Sequence, residues 1–155
     1  MTATRPACLT SGYPHRADSR VAGVRDNRSV AEQTFYEAIG GHAAITQIVD
    51  RFYAGVATDP LLRPIYPEED LTGARERLTM FFEQYWGGPR TYQEQRGHPR
   101  LRMRHAPFAV TSEAAERWLV HFRAGLDEAA LPPDLDERFW EYVTYAAEFM
   151  VNTLE

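Results

Sequence analysis

The run YWGGPRTYQEQRGHPRLRMRHAPF, Tyr85 to Phe108, concentrates the side chains best suited to chemistry, and it sets His105 on a short arginine-rich segment ending at Pro107. A neutral imidazole can present one ring nitrogen to a metal while the other donates to a carbonyl or carboxylate, which fixes both tautomer and ring orientation. The same spacing also describes a surface histidine on a basic helix, so position alone leaves both readings open. His98, flanked by Gly97 and Pro99, reads as a loop or helix-start residue suited to packing or a polar contact at the edge of a site. His42 and His121 have no matching role, and His15 falls in the amino-terminal stretch. No HExxH, CxxC or calcium-loop spacing occurs, which gives little support to a metal held by protein ligands alone. Glu68, Glu69 and Asp70 are best explained as a solvated helix start. Tyr53 is different, because it falls on the apolar face of a helix, where a hydroxyl is costly unless it finds a partner. Trp118 adds an indole N–H, which can only donate.

These groups must be positioned by helices. Ile45, Ile48, Val49, Phe52, Tyr53 and Val56 recur at spacings of three and four, and Asp59-Pro60 breaks the pattern. A second stripe holds Leu71, Ala74, Leu78, Phe81, Phe82 and Tyr85, with Asp70 as its cap and Gly87-Gly88-Pro89 as its stop. A polar loop is expected to about His98, then a short helix over Leu101 to His105, ended by Ala106-Pro107. Thr111 or Ser112 can cap a long helix through Trp118, Phe122 and Leu126, and Leu131-Pro132-Pro133 separates it from the last. That final helix places Asp134, Asp136 and Glu137 at its positive end and buries Leu135, Phe139, Val143, Ala146 and Met150. No alternating strand pattern appears, so the expected class is all-α.

The segments FYEAIGG (Phe35 to Gly41), RFYAGVATDPLLRPIYPEEDL (Arg51 to Leu71), YWGGPRTY, HPRLRMRHAPF and YAAEFMVN, together with Trp118, span roughly residues 34 to 153. In this combination the chain resembles the truncated haemoglobins of group II, the O type. The resemblance implies a shortened globin of two-over-two helical architecture holding haem b. It implies His105 as the iron ligand and Tyr53, Tyr66 and Trp118 as donors to a diatomic ligand on the opposite face. Ala74 and Leu78 then face that ligand, and Ala74 is too small to act as a distal histidine or glutamine. Arg77, Tyr92 and Arg102 become candidate partners of the haem propionates. Phe81, Met103 and Phe108 are candidate slot lining, with His98 at the haem edge.

Composition bounds the remaining possibilities. A chain of 155 residues fits one domain with a real core. Residues 1–32 have few large apolar side chains and read as a disordered extension, leaving 33–155 for the globin domain. The lone Cys8 favours a reducing compartment, and no apolar run approaches the roughly 20 residues of a membrane span, so a cytoplasmic location is expected. The net charge of -5 divides into +2 for residues 1–32 and -7 beyond, which argues against a nucleic-acid partner. The expected function is tight binding of oxygen and other diatomics (carbon monoxide, nitric oxide) with redox chemistry on the bound ligand. Nitric oxide dioxygenation or peroxidase-like turnover would need an outside reductase. The alternative is a non-catalytic oxygen carrier or sensor, and a homo-oligomer stays open. A haem-free helical module would have no use for His105 together with three distal donors.

Overall fold

The computed structural model describes residues 32–154, and seven helices carry them. The extension expected over 1–32 lies, apart from Glu32, outside the described residues. Helix α1 (Phe35–Ala38) begins at Thr34, whose hydroxyl accepts the Glu37 N–H. After Gly40, which takes the left-handed φ of 110° that the turn requires, α2 (Gly41–Val56) buries the whole expected stripe. A 3-10 turn (Arg63–Ile65) leads to α3 (Thr72–Tyr85). The N-cap of α3 is Leu71 rather than the expected Asp70, which stands one residue earlier and accepts from the Thr72 N–H at 2.8 Å and from its hydroxyl at 2.6 Å.

The segment before His98 differs from expectation. Instead of a loop it contains α4 (Thr91–Arg96), a six-residue helix in which Tyr92 alone is buried. One apolar contact cannot produce a visible period. Helix α5 (Leu101–His105) then stops at Ala106-Pro107. In α6 (Ser112–Ala129) the cap is Thr111, whose hydroxyl accepts the Ala114 N–H. The last helix, α7 (Pro133–Met150), opens with proline, where a missing N–H costs nothing, and with two aspartates in its first turn.

Helix α2 lies across α6, with α3 beside α2 and α7 beside α6, giving the all-α, two-over-two arrangement. Phe52, Phe82, Phe122 and Phe139 lock the pairs together: Phe82 of α3 lies 5.4 Å from Phe122 of α6 and 5.2 Å from Phe139 of α7. The crossing is close because Gly125 has no side chain. A Cβ there would stand 2.6 Å from the Ile48 carbonyl oxygen of α2, too near for any real contact. Gly55 makes room in the same way for the His121 ring. No helix among the described residues is long and apolar enough to cross a membrane.

Asp59, which reads in the sequence only as part of a helix break, is 5% exposed and ties the chain after α2 to α6. Its carboxylate accepts the backbone N–H groups of Leu61 and Leu62, a two-point contact from Arg117 at 3.0 and 3.1 Å, and His121 Nε2 at 2.7 Å. His121 and Arg117 hold this carboxyl far below the ordinary carboxylate range, against the opposing effect of burial. Its stabilisation is therefore complete above the unfolded value of about 3.9 and is lost as pH falls toward the depressed folded value. Asp59→Asn is expected to cost about 2 kcal/mol at neutral pH, the lower end for a buried pair because Arg117 is half-exposed. Urea denaturation at several pH values checks this: the gap to the parent protein should hold from pH 5 to 8 and close below about pH 4.

Candidate functional site

Helices α2, α3, α5, α6 and α7 enclose a cavity of about 560 Å³, within the roughly 300 to 1,000 Å³ usual for small-molecule and cofactor sites. Its walls are mostly apolar, built from Leu62, Ile65, Leu78, Phe81, Phe82, Leu101, Phe108, Val110 and Met150. The space exists because the stripes turn small where they reach it: Ala114 and Ala115 on α6, and Ala146 and Ala147 on α7, line it where larger residues would fill it. Ala146 and Met150, read from the sequence as core, are only half-buried for this reason.

His105 lines one wall from the last position of α5. Its Nδ1 lies 2.6 Å from the Leu101 carbonyl oxygen. A carbonyl can only accept, so Nδ1 carries the proton and Nε2 keeps its lone pair for a metal. No three His, Cys, Asp or Glu side chains converge on a metal position among the described residues. A metal at His105 must therefore arrive inside a group that supplies its other ligands.

A second wall carries the polar donors. Tyr53 on α2 and Tyr66 after the 3-10 turn meet edge to face at 5.8 Å, and both line the cavity with Trp118 of α6. Burial pushes both phenols above their ordinary value, and hydrogen bonds from Tyr53 and Trp118 to the Tyr66 oxygen act against that rise at Tyr66. The Tyr53 hydroxyl also lies 3.4 Å from the Ala74 carbonyl, a long contact. The three groups thus partner one another. The Trp118 indole is held by stacking on Phe122, 5.0 Å away and nearly parallel, and by Phe52 at 4.7 Å. Arg63, which no motif or spacing singles out, braces the Tyr66 loop by donating to the carbonyls of Tyr66, Glu68 and Glu69.

Cations stand on the lining. Arg77 reaches it while paired with Glu68, and Tyr92, Arg96 and Arg104 join it from the α4–α5 side. Of the residues singled out in the sequence, the structure brings Tyr53, Tyr66, Ala74, Arg77, Leu78, Phe81, Tyr92, His105, Phe108 and Trp118 to this one cavity. Three others it places elsewhere. Arg102 donates to the Phe149 carbonyl at 2.9 Å, one of the last carbonyls of α7 that have no partner within the helix, and is drawn away from the cavity. Met103 is 59% exposed, since Leu101 and His105, four apart, define the inward face of α5 and the residue midway between them must point out. His98 is exposed, and its Nδ1 accepts the Arg100 N–H at the start of α5. Arg104 takes the place expected of Arg102. It donates to the carbonyls of Pro99 and Arg96, and its guanidinium lies 5.9 Å from the centre of the Tyr92 ring. Nothing in the spacing distinguishes these arginines beforehand. Asn152 completes the surround by donating to the carbonyls of His105 and Phe108 and accepting the Val110 N–H.

An apolar slot, one free imidazole nitrogen, a donor cluster on another wall and cations suited to carboxylates together fit a haem. Comparison with known proteins agrees. A family model described as bacterial-like globin matches residues 34–152. The group 2 truncated hemoglobin of Bacillus subtilis is 42% identical over 120 residues, covering 77% of this chain and 89% of that protein. A solved thermostable hemoglobin from the actinobacterium Thermobifida fusca is 60% identical with a TM-score of 0.77, covering 77% of this chain and 98% of its own. The structure of a truncated oxygen-avid haemoglobin from Bacillus subtilis, 42% identical, gives a TM-score of 0.73 over 77% of this chain and all of that one (100%). The chain belongs to the bacterial-like globins as a group II truncated haemoglobin, and its cofactor is haem.

Proposed function

We propose that this globin retains oxygen tightly and supports redox chemistry on it, nitric oxide dioxygenation or a peroxidase-like reaction, with electrons from an outside reductase in the cytoplasm. The observation that carries this reading is the convergence of Tyr53, Tyr66 and Trp118 on one wall of the cavity lined by His105. The haem, when bound, supplies an iron that takes a diatomic ligand and exchanges electrons. His105 holds that iron through Nε2, while its bond to the Leu101 carbonyl keeps the ring oriented and the ligand nitrogen basic.

The three donors act on the ligand. A diatomic that gains negative charge gives the Tyr53, Tyr66 and Trp118 hydrogens a better acceptor than one another, and a hydrogen bond to a charged acceptor is worth about 1.5 to 3 kcal/mol. Apolar walls exclude water, which strengthens those bonds and protects the site from proton leakage. Arg77, Arg96, Arg104 and Tyr92 line the cavity and would pair with the haem carboxylates, and Ala74 and Leu78 would face the bound ligand. Three donors favour slow release, which suits chemistry on a retained ligand better than delivery. The related protein from Bacillus subtilis is described as oxygen-avid.

His105→Ala should fail to hold haem, read as loss of the Soret band after hemin reconstitution and gel filtration; full haem with an unchanged spectrum would refute the ligand assignment. Trp118→Phe keeps an aromatic ring for stacking on Phe122 but removes the donor, so oxygen should dissociate about tenfold faster, the equivalent of roughly 1.4 kcal/mol. Stopped-flow replacement of oxygen by carbon monoxide measures this. Because burial raises both phenols, Tyr53 and Tyr66 stay protonated to at least about pH 10, and the dissociation rate should be flat from pH 6 to 10. Nitrate formed over many turnovers from nitric oxide and oxygen, with an electron donor returning the ferric haem to the ferrous state each cycle, separates the redox role from a carrier or sensor, which would stop after one equivalent.

A further inference from the structure

The segment 90–105 holds five arginines against one acid, Glu94, a charge of +4 in a chain whose total is -5, so everything outside it carries -9. Folding does not neutralise this charge. Arg90 donates to Gln93 Oε1, Arg102 to the Phe149 carbonyl, and Arg104 to the carbonyls of Arg96 and Pro99, all uncharged acceptors. Five guanidinium groups on the long helices are treated differently: Arg51, Arg75, Arg77, Arg117 and Arg123 each face a carboxylate. The strip is also exposed, with only Arg104 half-buried, and it reaches the cofactor cavity through Arg96 and Arg104. Two haem carboxylates would leave it still positive.

Apolar surface accompanies the charge. Met103, between Arg102 and Arg104, is exposed. Phe149, over which the Arg102 guanidinium lies at 5.3 Å, is 48% exposed and stacks on the exposed Tyr145. An apolar centre with a charged rim is the anatomy of a protein interface, and small, electrostatically guided contacts are typical of electron-transfer pairs.

We propose that this basic strip on α4 and α5 docks an acidic protein that donates single electrons, of the small iron–sulfur or flavin class. The strip lies beside the wall that bears His105, so a docked donor stands next to the cofactor edge. The transfer balances as one electron lost by the reduced partner and one gained by ferric haem, with no bond made or broken. The surrounding negative charge repels wrong approaches, and it disfavours a nucleic acid, which would have to be held by a strip this short. This inference rests on the redox reading above and names where its electrons enter.

The test uses the haem-loaded full chain, a reduced acidic [2Fe–2S] ferredoxin as probe, and the double variant Arg90→Glu/Arg100→Glu, neither residue lining the cavity. Calorimetric titration with the oxidised ferredoxin should give a complex that weakens with salt, and charge reversal should weaken it at least tenfold. Stopped-flow reduction of the ferric protein by ferredoxin should slow by the same factor at low salt, the two proteins converging near 0.5 M salt. Dithionite should reduce both alike, and their oxygen dissociation rates should match. Equal ferredoxin affinity for parent and variant, a salt-independent parent, or preferential binding of anionic vesicles or a DNA duplex overturns the proposal. Absence of nitrate formation alongside charge-dependent ferredoxin binding would instead count against the redox reading while leaving the docking surface.

Discussion

The closeness of the α2–α6 crossing governs the rest of the molecule. Tyr53 projects from α2 and Trp118 from α6, so the separation of these helices sets how far apart the two donors stand. Gly125 admits the Ile48 carbonyl where any side chain would hold the helices apart. Aromatic rings on all four long helices then fill the space beneath, and their rigidity keeps the cavity above them from collapsing. Asp59 acts at the edge of this crossing. By bonding both the backbone leading to Tyr66 and the α6 side chains flanking Trp118, it makes one buried charge responsible for the relative position of two donors.

The two ends of the site are held by different physics. On the donor side, positions are set by dense packing, ring stacking and a buried ion network. On the His105 side, short helices with few buried residues are held by arginine and asparagine side chains reaching backbone carbonyls. Such bonds are individually worth about 1 kcal/mol and yield more easily than packed rings. The proposed ligand donors thus stand on the stiffly packed half of the molecule and the proposed iron ligand on the half held by hydrogen bonds.

What could be read in the sequence follows the same division. The α2 stripe from Ile45 to Val56, the Thr111 cap and the proline opening α7 are local signals, and they place the long helices correctly. His105 and the donor trio stood out through the family pattern, with the buried hydroxyl of Tyr53 as a local hint. What stayed hidden depends on distant partners. Asp59 looks like any helix breaker until Arg117 and His121, some sixty residues on, fold against it. The choice between Arg102 and Arg104 turns on an unpartnered carbonyl at the far end of α7. Helix α4 is polar on all sides but one, and no periodicity could announce it.

The brevity of α5 bears on how the protein is assembled. A helix of five residues is far below the dozen or so needed to persist alone in water, and an anchor of its neighbourhood, Asn152, lies just beyond the end of α7. That wall is held in place only once α7 has docked and carried Asn152 to the carbonyls of His105 and Phe108. Docking of α7 and closure of the wall that bears His105 thus become one event, and the segment after α7 acts as a latch on a pocket whose other sides are held by longer helices.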